Sequence, residues 1–483
     1  MILRFFCCVI IISSSFDLVA QNDTISTWNL QMCVEYALEN NLSVRRNQLS
    51  VENNNIDLNQ SRGNLLPSLN LNSSYGNRWG RSIDPTSNLF VTERITNFGF
   101  SGSSAVTLFS GFQLMNNIRQ NEAIVEASRY DLNAAENSVV LDVVLRYLNV
   151  ILNEELVNIA ENQLNTTQAQ VEQTRKLVDA GSVPISNLLD LEAQLASNEL
   201  ELINAVNNLN LAMLNLKQGM QLPASNEIKI EDPDIDQVET SLDLTVDEIM
   251  AIAMMTLPDV KSADTYLEAA EIGVKVAKGG YYPSLSLSGN MFSNYSGAAN
   301  RARQIPTGDE MQVVRQIGFL TDNPTQTVST LITQPVFNSD DDYTLNEQLG
   351  DNLSQSLGLN LSIPIFNGFR VRNNVQRARI NRENQTINQE DIKNQIRQNI
   401  ESAYYDAQAA LKAFQASSKQ VDALEESFRS ISKRYNLGAS NFVDYQISEN
   451  NLFRARANLL RNKYEFLFRR KILDFYMGES LTF

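Results

Sequence analysis

LLPSLNL at Leu65–Leu71 returns as YYPSLSL at Tyr281–Leu287, and LFSGF at Leu108–Phe112 returns as IFNGF at Ile365–Phe369. An internal repeat dictates the architecture before any single motif does. The first pair keeps an offset of 216, which also aligns Cys33, Ala37 and Val44 with Ile249, Ala253 and Val260. The second keeps an offset of 257, which also aligns Gly181 of VDAGS with Gly438 of YNLGAS. The difference of 41 is an insertion in the second copy between Leu287 and Ile365, rich in Asn, Asp, Thr and Gly. That composition predicts a long inserted loop over 290–356.

Around the motifs, each copy carries a pair of period-two stretches, at about 68–109 and 284–365. Phe98, Phe100, Val106 and Leu108 alternate with Gly99, Ser101, Ser103 and Thr107, and Leu357, Leu359, Leu361 and Ile363 alternate with Gly358, Asn360 and Ser362. One apolar and one small polar face is the pattern of a membrane barrel with a wet lumen, although a soluble half-buried sheet shares it. Four strands cannot close a barrel, and an open edge in lipid costs several kcal/mol per unpaired group. The chain is therefore expected to share a barrel with copies of itself.

Two stretches without helix breakers follow the strand pairs, at 112–179 and 371–436. At about 1.5 Å per residue each is a helix of about 100 Å, longer than a globular core needs. Gly181 and Gly438 are left-handed helix stops, and return helices follow at 185–217 and 442–476. Leu188, Leu195, Leu202, Leu209 and Leu216 answer to Tyr445, Leu452, Leu459, Phe466 and Leu473 at the same offset of 257. This is a coiled-coil seam, which an ordinary helical bundle would also show. The domain reading is a first repeat at 21–220, a linker at 221–246, a second repeat at 247–478 and a tail at 479–483.

Residues 1–20 read as a signal peptide: Arg4 precedes an apolar run from Phe5 to Ile12, and FDLVA ends at Ala20. Its removal would take Cys7 and Cys8, leaving Cys33 without a disulfide partner, and no cysteine stands at the cleavage point to carry a lipid. Lys and Arg total 39 against 56 Asp and Glu, a net charge of −17, which argues against a nucleic-acid partner. With His at 0, the commonest general base and transition-metal ligand are missing. No nucleophile paired with a base, metal-spaced cluster or nucleotide loop stands out. The expectation is a chain that is not an enzyme and uses no metal or cofactor.

The duplicated motifs, long helices, glycine turns and heptad helices resemble the TolC-like outer-membrane efflux proteins over essentially the whole chain after residue 20. The resemblance implies a mainly α fold with membrane β. It further implies that three protomers would form a twelve-stranded β-barrel continuous with a twelve-helix α-barrel, and that 221–246 and the segment after Met477 would supply an equatorial part. It implies an outer-membrane exit duct of a tripartite efflux or type I secretion system, spanning into the periplasm. Its partners would be a periplasmic adaptor, an inner-membrane transporter of RND, ABC or MFS type, and outer-membrane lipid.

Carried across by motif, YNLGASNFVD puts Tyr435 and Asp444 on periplasmic gate positions, with Ser186 and Asn187 of GSVPISN opposite them. The resemblance also implies that Gly181, Gly438 and Ser440 fall at the helical tips where an adaptor would dock. Ser440 stands where an arginine is usual, Asn187 where an aspartate is usual, and Ile447 in place of a second acidic residue, which implies a less charged closure. Asp190 would add a charge near the tip. Three copies of Asp444 on one axis would repel one another and draw cations; the alternative is a solvated carboxylate at a helix start. A periplasmic coiled-coil adaptor is the competing function, and it would lack the two pairs of amphipathic strands.

Overall fold

A computed structural model describes residues 26–83, 90–92, 94–231, 244–297, 303–340 and 343–479. The signal peptide at 1–20, residues 232–243 of the linker and residues 480–483 of the tail lie outside the described residues. The first copy runs β1 (Ser26–Trp28), α1 (Leu30–Asn40), α2 (Leu42–Gly63), β2 (Ser68–Arg78), β3 (Arg81–Ile83), β4 (Phe90–Thr92), β5 (Ile95–Ser110), α3 (Gln113–Asp179) and α4 (Ile185–Gly219). After β6 (Ile228–Ile230) come α5 (Val246–Thr256), α6 (Pro258–Gly279), β7 (Ser284–Ser296), β8 (Arg303–Leu320), β9 (Asn323–Asp340) and α7 (Leu345–Asp351). The chain ends with β10 (Ser354–Ser362), α8 (Arg370–Asn436) and α9 (Phe442–Met477).

The chain forms two compact units, one from Met1–Leu49, Tyr130–Lys261 and Asp391–Phe483, the other from Ser50–Arg129 and Ser262–Glu390. In the first unit the duplication reappears as two equivalent cores. Cys33, Ala37 and Val44 pack with Val139, Val143, Val150 and Leu216. Their counterparts Ile249, Ala253 and Val260 pack with Ile396, Ile400, Ala407 and Leu473. Burial pushes the Cys33 thiol up to about 12, so it serves as a small apolar side chain. Truncating a fully buried leucine such as Leu216 to alanine costs about 2–5 kcal/mol. The helices start on side-chain caps: Asn29 accepts from the Met32 amide, and Thr245 and Glu248 close a capping box at α5. Those bonds from Thr245 hold the Glu248 carboxyl below its ordinary range. β1 pairs in parallel with β6, and the Tyr147 hydroxyl donates to the Glu231 carbonyl at 2.5 Å, tying α3 to this small ladder.

The second unit is built on a four-stranded antiparallel sheet in the order β10-β7-β5-β2. Each copy supplies one outer and one inner strand. Strand passes to helix through the SGF and NGF motifs, where Gly111, Phe112, Gly368 and Phe369 all take positive φ, 62 to 64°. Two successive left-handed residues turn the chain, and each phenylalanine packs edge-on against the aromatic three residues earlier, Phe109 or Phe366. At Gly111 a Cβ would lie 2.3 Å from the Gly279 carbonyl oxygen, whereas Gly368 has nothing within 4 Å.

The stretch 290–356 is not the simple loop its composition suggests. It holds the end of β7, the β8–β9 hairpin, helix α7 and the start of β10. β8 and β9 form a separate two-stranded sheet with register shifts, and Val314 and Leu331, paired across it, are both exposed. A ribbon with no buried face among its described side chains lacks the one-sided apolar alternation by which strands are recognised. Helix α7 is capped by Thr344 and Glu347, and buried Gln348 accepts from the Ser296 amide at 2.9 Å, fastening the helix to the end of β7.

Candidate functional site

The predicted site residues gather where the long helices turn back. After α3, the Ser182 amide donates to the Leu177 carbonyl and that of Gly181 to Val178, both at 2.8 Å. After α8, Ala439 donates to Arg434 at 2.7 Å and Gly438 to Tyr435 at 2.9 Å. This is the Schellman arrangement, and it requires the left-handed residue that glycine supplies, with φ of 75° at Gly181 and 74° at Gly438. Leu437 beside the turn is 84% exposed, and Ile185 and Val443 are exposed as well.

Asp444 lies exposed in the first turn of α9. Its amide donates to the Asn441 side chain at 2.7 Å, and the Ser440 hydroxyl stands 3.5 Å from its carboxylate. Tyr435 is half-buried, with its ring centroid 5.0 Å from Tyr445 and 6.2 Å from Phe442. It packs on the small core of Val171, Leu191 and Phe442. Asn187 is half-buried, and Ser186 and Asp190 are exposed, in the first turns of α4. Among the described residues no hydrogen bond joins Asp444 or Tyr435 to Ser186 or Asn187. The Tyr435 ring instead faces the aromatics of α9.

Sequence reasoning missed the polar layer behind the turns. Gln170 of α3 donates to the Tyr445 hydroxyl at 3.1 Å and to Glu449 at 2.8 Å, both on α9. Burial pushes the Tyr445 phenol up to about 12, with the charge of Glu449 adding to it. Burial likewise raises the Glu449 carboxyl. Asn198, buried at a heptad position otherwise held by Leu191, Ala205 and Ala212, donates to the Thr167 hydroxyl at 2.8 Å and accepts from Gln194. Asn450 of α9 donates to Gln194 at 3.1 Å. A polar side chain in a leucine seam fixes register, and Asn198 could have been found from its heptad position alone. Glu449 carries no such mark. Among the described residues no acidic, cysteine or histidine cluster could hold a metal ion.

The sheet of the second unit separates its two chemistries. Its register places Leu69, Leu71, Phe98, Phe100, Leu287 and Leu359 on one face and Asn70, Asn72, Ser101, Ser103, Ser286 and Asn360 on the other. The strict alternation in the sequence puts Leu108 on the apolar face, but a bulge there brings Phe109 opposite Leu285 instead. Leu69 is 83% and Leu357 79% exposed, so much of the apolar face lacks cover among the described residues, while buried Ser293 on the same face meets α7 through the Leu349 carbonyl. A contiguous exposed apolar sheet of this kind is built for lipid or a partner.

The family model for outer membrane efflux proteins matches residues 33–220 and 253–479, one segment for each copy. Outer membrane protein TolC of Escherichia coli (strain K12) is 21% identical over 451 residues, covering 91% of this chain and 80% of that protein. The solved structure of CusC superposes with a TM-score of 0.71 at 18% identity, covering 94% of this chain and 93% of that one. That of VceC from Vibrio cholerae does so at 0.70 and 15%, covering 94% and 97%. The adaptor reading finds no support in these likenesses or in the amphipathic sheet. The duplicated match spans most of the chain: it belongs to the outer membrane efflux protein family.

Proposed function

We propose that three copies of this chain join their sheets edge to edge into a twelve-stranded barrel, with α3, α4, α8 and α9 of each copy contributing to a twelve-helix periplasmic tunnel. The carrying observation is the four-stranded sheet, whose outer strands β2 and β10 each pair on one side only among the described residues and whose apolar face exposes Leu69 and Leu357. In lipid such edges need partners, and copies of the same chain supply them symmetrically. The small polar residues of the opposite face then line a wet lumen. The assembly is a passive duct through which an inner-membrane transporter and its periplasmic adaptor export substrate.

The adaptor docks on the helical turns at Gly181, Gly438 and Ser440, where exposed Leu437, Ile185 and Val443 offer apolar contacts. Asp444 and Tyr435, with Asn187 and Ser186 across from them, form the aperture in this reading. Outer-membrane fractions run unheated on gels should yield a trimer that dissociates on boiling, and the purified protein should give discrete conductance steps in planar bilayers. Monomers released by osmotic shock, with no conductance, would sink the proposal.

A further inference from the structure

The two copies differ sharply at one place. In the first, Arg62 at the end of α2 pairs with Glu122 of α3 at 2.8 Å. The offsets of 216 and 257 carry these positions to Lys278 and Arg379. The acidic member of the pair has become a second cation, and both line one cleft of ≈ 340 Å³ between α6 and α8. Arg372 joins them where the first copy has Met115, and Tyr281 and Tyr282 replace Leu65 and Leu66. The change removes the internal counter-ion, adds cations and introduces two hydroxyl donors. Gln376, in place of Arg119, is the one cation lost.

None of Lys278, Arg372 and Arg379 has an ion-pair partner among the described residues. The Arg372 guanidinium instead lies 5.8 Å from the centre of the Phe369 ring. Lys278 on α6 and Arg372 and Arg379 on α8 line the same cleft, their like charges are relieved by an anion bound there, and guanidinium forks match phosphate oxygens bidentately. In a chain of net charge −17 this cluster is also out of keeping with its surroundings. Its place narrows the anion further. Tyr281 and Tyr282 immediately precede the Pro283–Ser284 entry to β7, and Phe366 and Phe369 stand exposed at the junction of β10 with α8. Tyrosines and arginines at such a level belong to the boundary between hydrocarbon and headgroups.

We propose that the Lys278–Arg372–Arg379 cleft binds the phosphate of an anionic phospholipid in the leaflet facing the periplasm, one site per chain and none in the first copy. The lipid identity rests on reading the sheet as the membrane element; the phosphate chemistry does not. Native mass spectrometry of the full-length assembly in detergent, with phosphatidylglycerol or phosphatidylcholine added, tests it. Phosphatidylglycerol should be retained at least about tenfold more strongly, a few charge contacts each worth about fivefold. Arg379→Glu should abolish the preference, and it should fold because it restores the Arg62–Glu122 pattern of the first copy. Arg372→Gln should weaken retention by about fivefold. Equal retention of the two lipids, or a preference that survives Arg379→Glu, overturns the proposal. Displacement by millimolar inorganic phosphate would assign the cleft to a free anion and overturn the lipid identity. Single-channel conductance of the same preparation separates the outcomes: channels with no lipid preference refute the site alone, whereas absent channels refute the duct.

Discussion

Glu449 is a carboxylate placed where water is scarce, on the face of α9 that meets α3. Burial raises its pKa above the ordinary 4.5, so the folded tip favours the protonated form. Its favourable contribution is therefore fully present below about pH 4.5 and is lost as pH rises through the raised value. Glu449→Gln keeps an acceptor for Gln170 and removes the charge. The variant should protect the tip amides of 430–450 from hydrogen exchange more than wild type at pH 7, and equally at pH 4. Equal protection at both pH values would mean that the charge is well solvated. Little of this was legible in the sequence, because Gln170 is 279 residues away and nothing local marks the pair. The glycines at 181 and 438 were legible, since left-handed helix stops depend on a single residue type.

Helices were the most legible elements, because α3 and α8 run 67 residues each without a glycine or proline. Strands with one apolar face were legible too, apart from the bulge at Leu108, which no alternation rule can place. The β8–β9 hairpin was not, as its side chains face solvent on both sides and its threonines and asparagines read as loop. The strand-to-helix turns give an element-level prediction. Gly111 and Gly368 share a φ of 62°, so alanine at either should cost about 1 kcal/mol for the left-handed conformation. Only at Gly111 does the new methyl also meet backbone, the Gly279 carbonyl, which side-chain rotation cannot relieve. Gly111→Ala should thus destabilise by more than about 3 kcal/mol and leave little heat-resistant assembly in the outer membrane, while Gly368→Ala assembles nearly normally. Equal assembly of the two variants would contradict the close approach.

The proposed ring of three chains would multiply whatever side chain stands at its narrowest point, and that stoichiometry is invisible in one sequence. What the sequence does carry is the need for partners, through strand edges that one chain cannot satisfy. It also carries Asp444, exposed at the start of α9. If three copies face one axis, each pair of carboxylates repels by about 1 kcal/mol at 4 Å in water and about 4 kcal/mol where the effective dielectric falls to 20. A multivalent cation relieves that repulsion and plugs the opening. Asp444→Ala should accordingly raise single-channel conductance in planar bilayers and abolish block by multivalent cations. Asp444→Asn, which preserves side-chain size and leaves the Asn441 cap in place, should abolish block with a smaller gain in conductance. A carboxylate that merely complements the helix N-terminus would behave otherwise. Its loss would cost about 0.3–1 kcal/mol of stability and leave both conductance and block unchanged, a result that would remove Asp444 from the aperture.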